Sequence, residues 1–137
     1  MEQKKYLPNL DQRIALFDLI ITLNKEALEY FGNANCALIF HVLELEQYKN
    51  FRERGQIEFS VGVTLSYLAE RTGLPKSTVH DQLKKMLEQD IFVKEGQKYK
   101  FKIGPDGKPV IQTKFPKGLA SLRKFTNFLR NSNLVKE

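Results

Sequence analysis

The sequence predicts a mainly α fold with a small antiparallel sheet, an α+β domain framed by long N-terminal and C-terminal helices. Three observations carry this expectation. Residues 65–89, LSYLAERTGLPKSTVHDQLKKMLEQ, hold two helical patterns joined by a tight turn, and residues 91–115, IFVKEGQKYKFKIGPDGKPVIQTKF, alternate apolar and polar side chains between turn signals. Residues 10–31 and 117–131 repeat apolar residues at helical spacing with no interior proline.

A chain of 137 residues, 42% hydrophobic and 28% charged, is one domain's worth of ordinary globular composition, so a single domain over residues 1–137 is expected. There is no run of about 18 apolar residues and no apolar signal-peptide core near Met1, which points to a soluble cytoplasmic protein with no membrane contact. The single cysteine, Cys36, sits in the apolar run CALIF and reads as a packing residue. Net charge is +6 but unevenly spread: residues 1–62 carry 7 Lys+Arg against 9 Asp+Glu, a net of −2, and residues 63–137 carry 15 against 7, a net of +8. A basic half implies a polyanionic partner, because each neutralised phosphate releases condensed counterions. A basic surface that serves solubility alone is the plainer alternative.

In chain order, Met1–Leu7 is polar, and Pro8 and Asn9 lead into a helix of about six turns over 10–31. Leu10, Ile14, Phe17, Ile21, Asn24, Leu28 and Phe31 step by four and three, a seam of coiled-coil spacing, while Leu16, Ile20, Leu23 and Ala27 widen the apolar face. One seam suits packing on the domain and another suits a partner subunit, with lone Asn24 as a device for register; the helix covering only its own core is the equal alternative. Gly32 stops this helix and Asn33 or Asn35 caps a central helix, ANCALIFHVLELEQYKNF, dense in apolar residues from Cys36 to Leu45. Ile57, Phe59 and Val61 alternate with polar residues and predict a short strand.

Leu65, Leu68 and Ala69 form the inner stripe of the next helix, which ends near Thr72 because Gly73 tolerates positive φ. Pro75 precedes a second helix from Lys76, whose Val79, Leu83, Met86 and Leu87 face inward and whose Ser77, Thr78, Asp81, Gln82, Lys84 and Lys85 face outward. After Asp90 three short strands are expected, with turns at Glu95-Gly96-Gln97 and Pro105-Asp106-Gly107-Lys108. In the middle strand Tyr99, Phe101 and Ile103 alternate with Lys98, Lys100 and Lys102, a row of ammonium groups that Lys108 continues at the tip. Such a row suits phosphate, or protects a strand edge from aggregation. Pro116 opens the last helix, with Leu119, Leu122, Phe125, Phe128 and Leu129 on one face. Leu122 and Phe125 join Leu10, Ile14, Phe17, Ile21, Asn24 and Leu28 as the expected dimerisation residues.

Residues 65–89 resemble the helix-turn-helix of DNA-binding regulators, with Ala69, Gly73, Leu74, Val79 and Leu83 standing where that motif wants small, turning and buried residues. The resemblance implies that the second helix enters the major groove. It makes Ser77, Thr78, His80, Asp81, Gln82 and Lys85 the candidate base readers and gives Lys76 and Lys84 to phosphate. A strand, this helix pair and a basic hairpin with Lys98, Lys100, Lys102 and Lys108 together resemble a winged helix domain over residues 34–115. Long flanking helices make the whole similar to dimeric regulators of the MarR and ArsR-like kind. The Asp and Arg usual at the wing of the first, and the Cys and His clusters of metal-sensing members, are not recognisable, so the resemblance implies a homodimer more than a sensor.

A second resemblance is to winged helix modules of plasmid and phage replication initiators or replisome organisers, carried by Arg54-Gly55-Gln56, the strand and Leu68-Ala69-Glu70. Centromere-binding proteins of partition systems share the scaffold. The function expected first is therefore a homodimeric transcriptional regulator, a repressor, that reads duplex DNA. Replication initiation or partition is the alternative, and a winged helix used for protein contacts alone is the third. No phosphate loop, Gly-rich dinucleotide turn or nucleophile motif is present, so neither catalytic residues nor a cofactor nor a metal is expected, and no pattern specifies an effector.

Overall fold

A computed structural model describes residues 9–56 and 58–132. Its elements in order are α1 (Leu10–Phe31), α2 (Ala34–Arg54), β1 (Val63–Thr64), α3 (Leu65–Thr72), α4 (Lys76–Glu88), β2 (Phe92–Glu95), β3 (Lys98–Phe101), a 3₁₀ turn (Val110–Lys114) and α5 (Pro116–Asn131). The three strands form one antiparallel sheet in the order β1-β3-β2. The chain is thus a mainly α, α+β winged helix-turn-helix, as its sequence predicts. The described residues group into two compact units, residues 9–26 with residues 115–132, and Ala27–Lys114.

The larger unit is built around α2. Its N-cap is Asn33, whose side chain accepts from Cys36 N, and Gly55 closes it with a left-handed C-cap. Ile39 and Leu43 on α2, Leu68 on α3, Val79, Leu83 and Met86 on α4, and Ile91, Phe92 and Ile111 beyond them are all at most 1% exposed. Phe101 of β3 stands edge-on to Phe40 at 5.7 Å and to Phe92 at 5.4 Å, which ties the sheet to α2.

Two sheet expectations are corrected. The first strand is not Ile57–Val61 but the two residues Val63–Thr64, paired Val63↔Tyr99 and Thr64↔Lys98; Ile57 lies outside the described residues. Val61 cannot join the ladder because fully buried Gln47 occupies both of its backbone groups, accepting from Val61 N at 3.1 Å and donating to Val61 O at 2.8 Å. Gly62 then runs so close to β3 that a Cβ there would lie 2.9 Å from Lys98 Cβ. The third hairpin strand is also missing. Ile103 and Pro109 form only an isolated bridge, and the chain turns into the 3₁₀ segment. Pro109 has no N–H to donate, so a ladder cannot continue through it.

The smaller unit pairs the first part of α1 with α5. Pro116 takes the first helical position of α5, and the preceding Phe115 supplies no side-chain cap. Glu26 of α1 takes that role: its carboxylate accepts from Lys117 N and Gly118 N. An anion there satisfies two otherwise unpaired donors and opposes the positive end of the helix dipole.

Replacing Gln47 with leucine leaves Val61 N–H and C=O unsatisfied beside a buried apolar side chain. Urea unfolding is expected to show a loss of about 2–3 kcal/mol at an unchanged m-value; a loss below about 0.5 kcal/mol would show that the clamp does not position β1.

Candidate nucleic-acid interface

Helices α3 and α4 are set by the chemistry of their ends. Thr64 caps α3 by accepting from Tyr67 N at 3.1 Å, a Thr immediately before an apolar-periodic run that sequence reasoning passed over. Gly73 adopts φ +74° and its N–H closes on Ala69 O at 3.0 Å. A side chain at that φ would be strained, so the turn requires glycine. Thr72 Oγ1 donates to Leu68 O at 2.6 Å and accepts from Leu74 N at 3.2 Å, locking the corner. Pro75 precedes α4 at φ −58° and its carbonyl accepts the first helical bond, from Val79 N.

With Val79, Leu83 and Met86 buried, the opposite face of α4 is left to solvent. Lys76, Ser77, His80, Asp81, Lys84 and Lys85 are exposed, and Thr78 is half-buried at its edge. These residues recur every three or four positions and form one stripe. His80 Nδ1 lies 3.6 Å from Asp81 Oδ1, so the one carboxylate among the candidate readers stands beside a group that can share it.

Gln82 departs from its expected outward position. Its Oε1 accepts from Asn33 Nδ2 at 3.1 Å and from Cys36 Sγ at 2.9 Å, joining α4 to the N-terminus of α2. Nothing in the local sequence signals this, because the partners lie 49 and 46 residues away. Cys36 is buried as expected, and burial pushes its thiol above the ordinary range.

The hairpin β2–β3 turns through Gly96 and Gln97, where expected, with Glu95 opposite Lys98. Tyr99 and Phe101 face inward as the alternation predicts, but Ile103 does not; it is 41% exposed. Lys98 and Lys100 lie on β3, the central strand of the sheet, and Lys102 and Lys108 lie beyond its end. These lysines are not equivalent. Lys100 pairs with Glu95 at 3.0 Å, and Lys102 pairs with Asp90, the positive-φ residue that follows α4. Lys98 and Lys108 are exposed and, among the described residues, make no ion pair. The wing therefore offers separated cations where the sequence predicts a continuous row.

The expected dimerisation residues fall into two groups. Leu10, Ile14, Phe17, Ile21, Asn24 and Leu28 on α1 are exposed. Leu122 and Phe125 on α5 are half-buried, and Phe125 lines a cleft of about 470 Å³ with Ile14, Ala15, Leu19 and Phe128 of the same chain. Among the described residues no group of three or more His, Cys, Asp or Glu is placed to hold a metal. Among the described residues no helix is long and apolar enough to cross a membrane.

Residues 60–94, from the segment before β1 into β2, match the model of the IclR helix-turn-helix domain. No curated protein matches the chain, and no solved structure does. The matched segment contains α3, the Gly73 turn and the whole of α4, so the similarity and the geometry single out one part of the chain: a helix-turn-helix of the DNA-binding type, followed by a wing.

Because Gln82 bridges α4 to α2 while Ser77 and His80 touch solvent, their alanine variants should separate. Gln82→Ala is expected to lower unfolding free energy by about 1–2 kcal/mol, and Ser77→Ala and His80→Ala by less than about 0.5 kcal/mol. Equal losses in chemical denaturation would place all three residues in the same environment and refute the division.

Proposed function

We propose that this protein is a sequence-specific regulator of transcription that binds duplex DNA as a homodimer and represses by occupying its site. The observation that carries the proposal is the exposed stripe of α4, polar and hydrogen-bonding throughout, on a helix whose Val79, Leu83 and Met86 are buried on the other face. A helix held in this way can be inserted into the major groove as a rigid body. Ser77, Thr78, His80 and Asp81, in its first half, are the base-reading residues. Hydroxyls and imidazole reach base edges of either polarity, and Asp81 accepts from the exocyclic amine of cytosine.

Lys76, Lys84 and Lys85 lie along the same helix, where they suit the flanking phosphates. On the wing, Lys98 and Lys108 contribute their charge directly, whereas Lys100 and Lys102 must first leave Glu95 and Asp90. Gln82 is assigned to support rather than readout. The homodimer is supported by the uncovered apolar seam of α1, and two copies of α4 would read a site with two-fold symmetry.

Lys98→Ala and Lys108→Ala are expected to weaken binding to specific and random duplexes alike, each reducing the salt slope by about 0.9 in fluorescence-anisotropy titrations at several ionic strengths. Lys100→Ala has a smaller effect, because its charge is already matched. Ser77→Ala and His80→Ala change which sequences are selected from random duplexes, by about 1–3 kcal/mol at the affected base pair. Absence of duplex binding at low ionic strength, or α4 variants that weaken all duplexes equally, overturns the proposal.

A further inference from the structure

Helix α1 is apolar on two opposite sides, and its own chain covers one. Leu19 and Ala27 are buried, and Glu26 is engaged with α5. On the other side Leu10, Ile14, Phe17, Ile21 and Leu28 are 47, 54, 61, 63 and 50% exposed, and Ile20 on the flank of this seam is 37% exposed. At about 200 Å² per large apolar side chain, these six expose roughly 620 Å². That is at the upper limit for the largest apolar patch of a typical monomer, roughly 300–600 Å². It approaches the ~800 Å² that one partner contributes to a stable interface.

We infer that α1 pairs with α1 of a second copy in parallel and in register, as a short coiled coil. The inference deepens the homodimer proposed above and rests on it. The spacing of Leu10, Ile14, Phe17, Ile21, Asn24 and Leu28 alternates four and three, which keeps one seam facing a partner helix of the same repeat. Two features choose the direction. Arg13 and Asp18 are exposed on opposite flanks of the seam, five residues apart, the separation at which flanking residues meet across parallel strands. Among the described residues neither is in an ion pair, so each is available to the other across a two-fold axis.

Asn24, exposed within the seam, is the second feature. In a parallel pair it meets its own copy, and an amide offers both a donor and an acceptor to an identical amide. In an antiparallel pair, layers drawn from the same residues would set Asn24 against Ile14, leaving a polar group unsatisfied in an apolar layer, and would bring two copies of Asp18 together. Parallel pairing removes both penalties.

Single-cysteine substitutions on exposed α1 positions test this, since buried Cys36 does not compete for oxidation. With Asn24→Cys, mild oxidation of the full chain is expected to give a covalent dimer. Mixing Ile14→Cys with a size-tagged Asn24→Cys should give no heterodisulfide between them. Arg13→Glu should raise the dimer Kd about tenfold, and adding Asp18→Arg should restore it. A 14–24 heterodisulfide, with Asn24→Cys alone remaining unlinked, overturns the parallel arrangement and leaves the homodimer standing. A dimer in which neither disulfide forms moves the interface off α1 and overturns the inference. A chain that sediments as a monomer at 100 µM overturns both this inference and the homodimer.

Discussion

A helix of 13 residues is marginal in water, so α4 depends on what its inner face buries. Val79, Leu83 and Met86 lose all but 1% of their exposure against a core that includes Leu68 of α3 and Ile39 and Leu43 of α2. At about 1.5–3 kcal/mol for each fully buried side chain, this contact outweighs any propensity in the KSTVHDQ segment. Every other feature of the exposed α4 surface inherits its position from that burial. The stripe from Lys76 to Lys85 faces outward because three positions face in. The polar link from Gln82 to Asn33 and Cys36 adds direction to the contact: apolar packing alone tolerates small rotations of α4, whereas two hydrogen bonds to one carboxamide oxygen do not.

Electrostatics act over the same surface with less precision. The second half of the chain carries the positive charge, yet Glu95 and Asp90 each hold a wing lysine. Exposed pairs of this kind contribute little to stability. Their larger effect is on the field near the wing, where a matched lysine attracts phosphate less than a lone one. Asp90 also leaves the end of α4 in a left-handed conformation, so one residue both ends the helix and restrains a lysine of the hairpin.

Helix α1 combines two uses of one repeat. Its 22 residues are long enough for one face to be covered within the chain and the other to remain apolar and open. That division explains why no single amphipathic stripe describes it.

Elements with local causes could be read directly from the residues. Helix ends at Gly32, Gly73 and Pro116, the inner face of α4 and the turn at Gly96 follow from φ preferences, missing donors and apolar spacing within a few residues of each position. What could not be read depends on partners distant in sequence. Gln47 removes Val61 from the sheet, Glu26 caps a helix 91 residues away, Gln82 turns inward, and two lysines find carboxylates. A polar side chain has several partners of similar energy, and only the folded arrangement brings one of them within 3 Å; an apolar side chain needs only to leave water. Hydrophobic pattern and turn chemistry therefore specified where the helices lie and which way α4 faces, while the pairing of polar and charged groups awaited the packing of the chain.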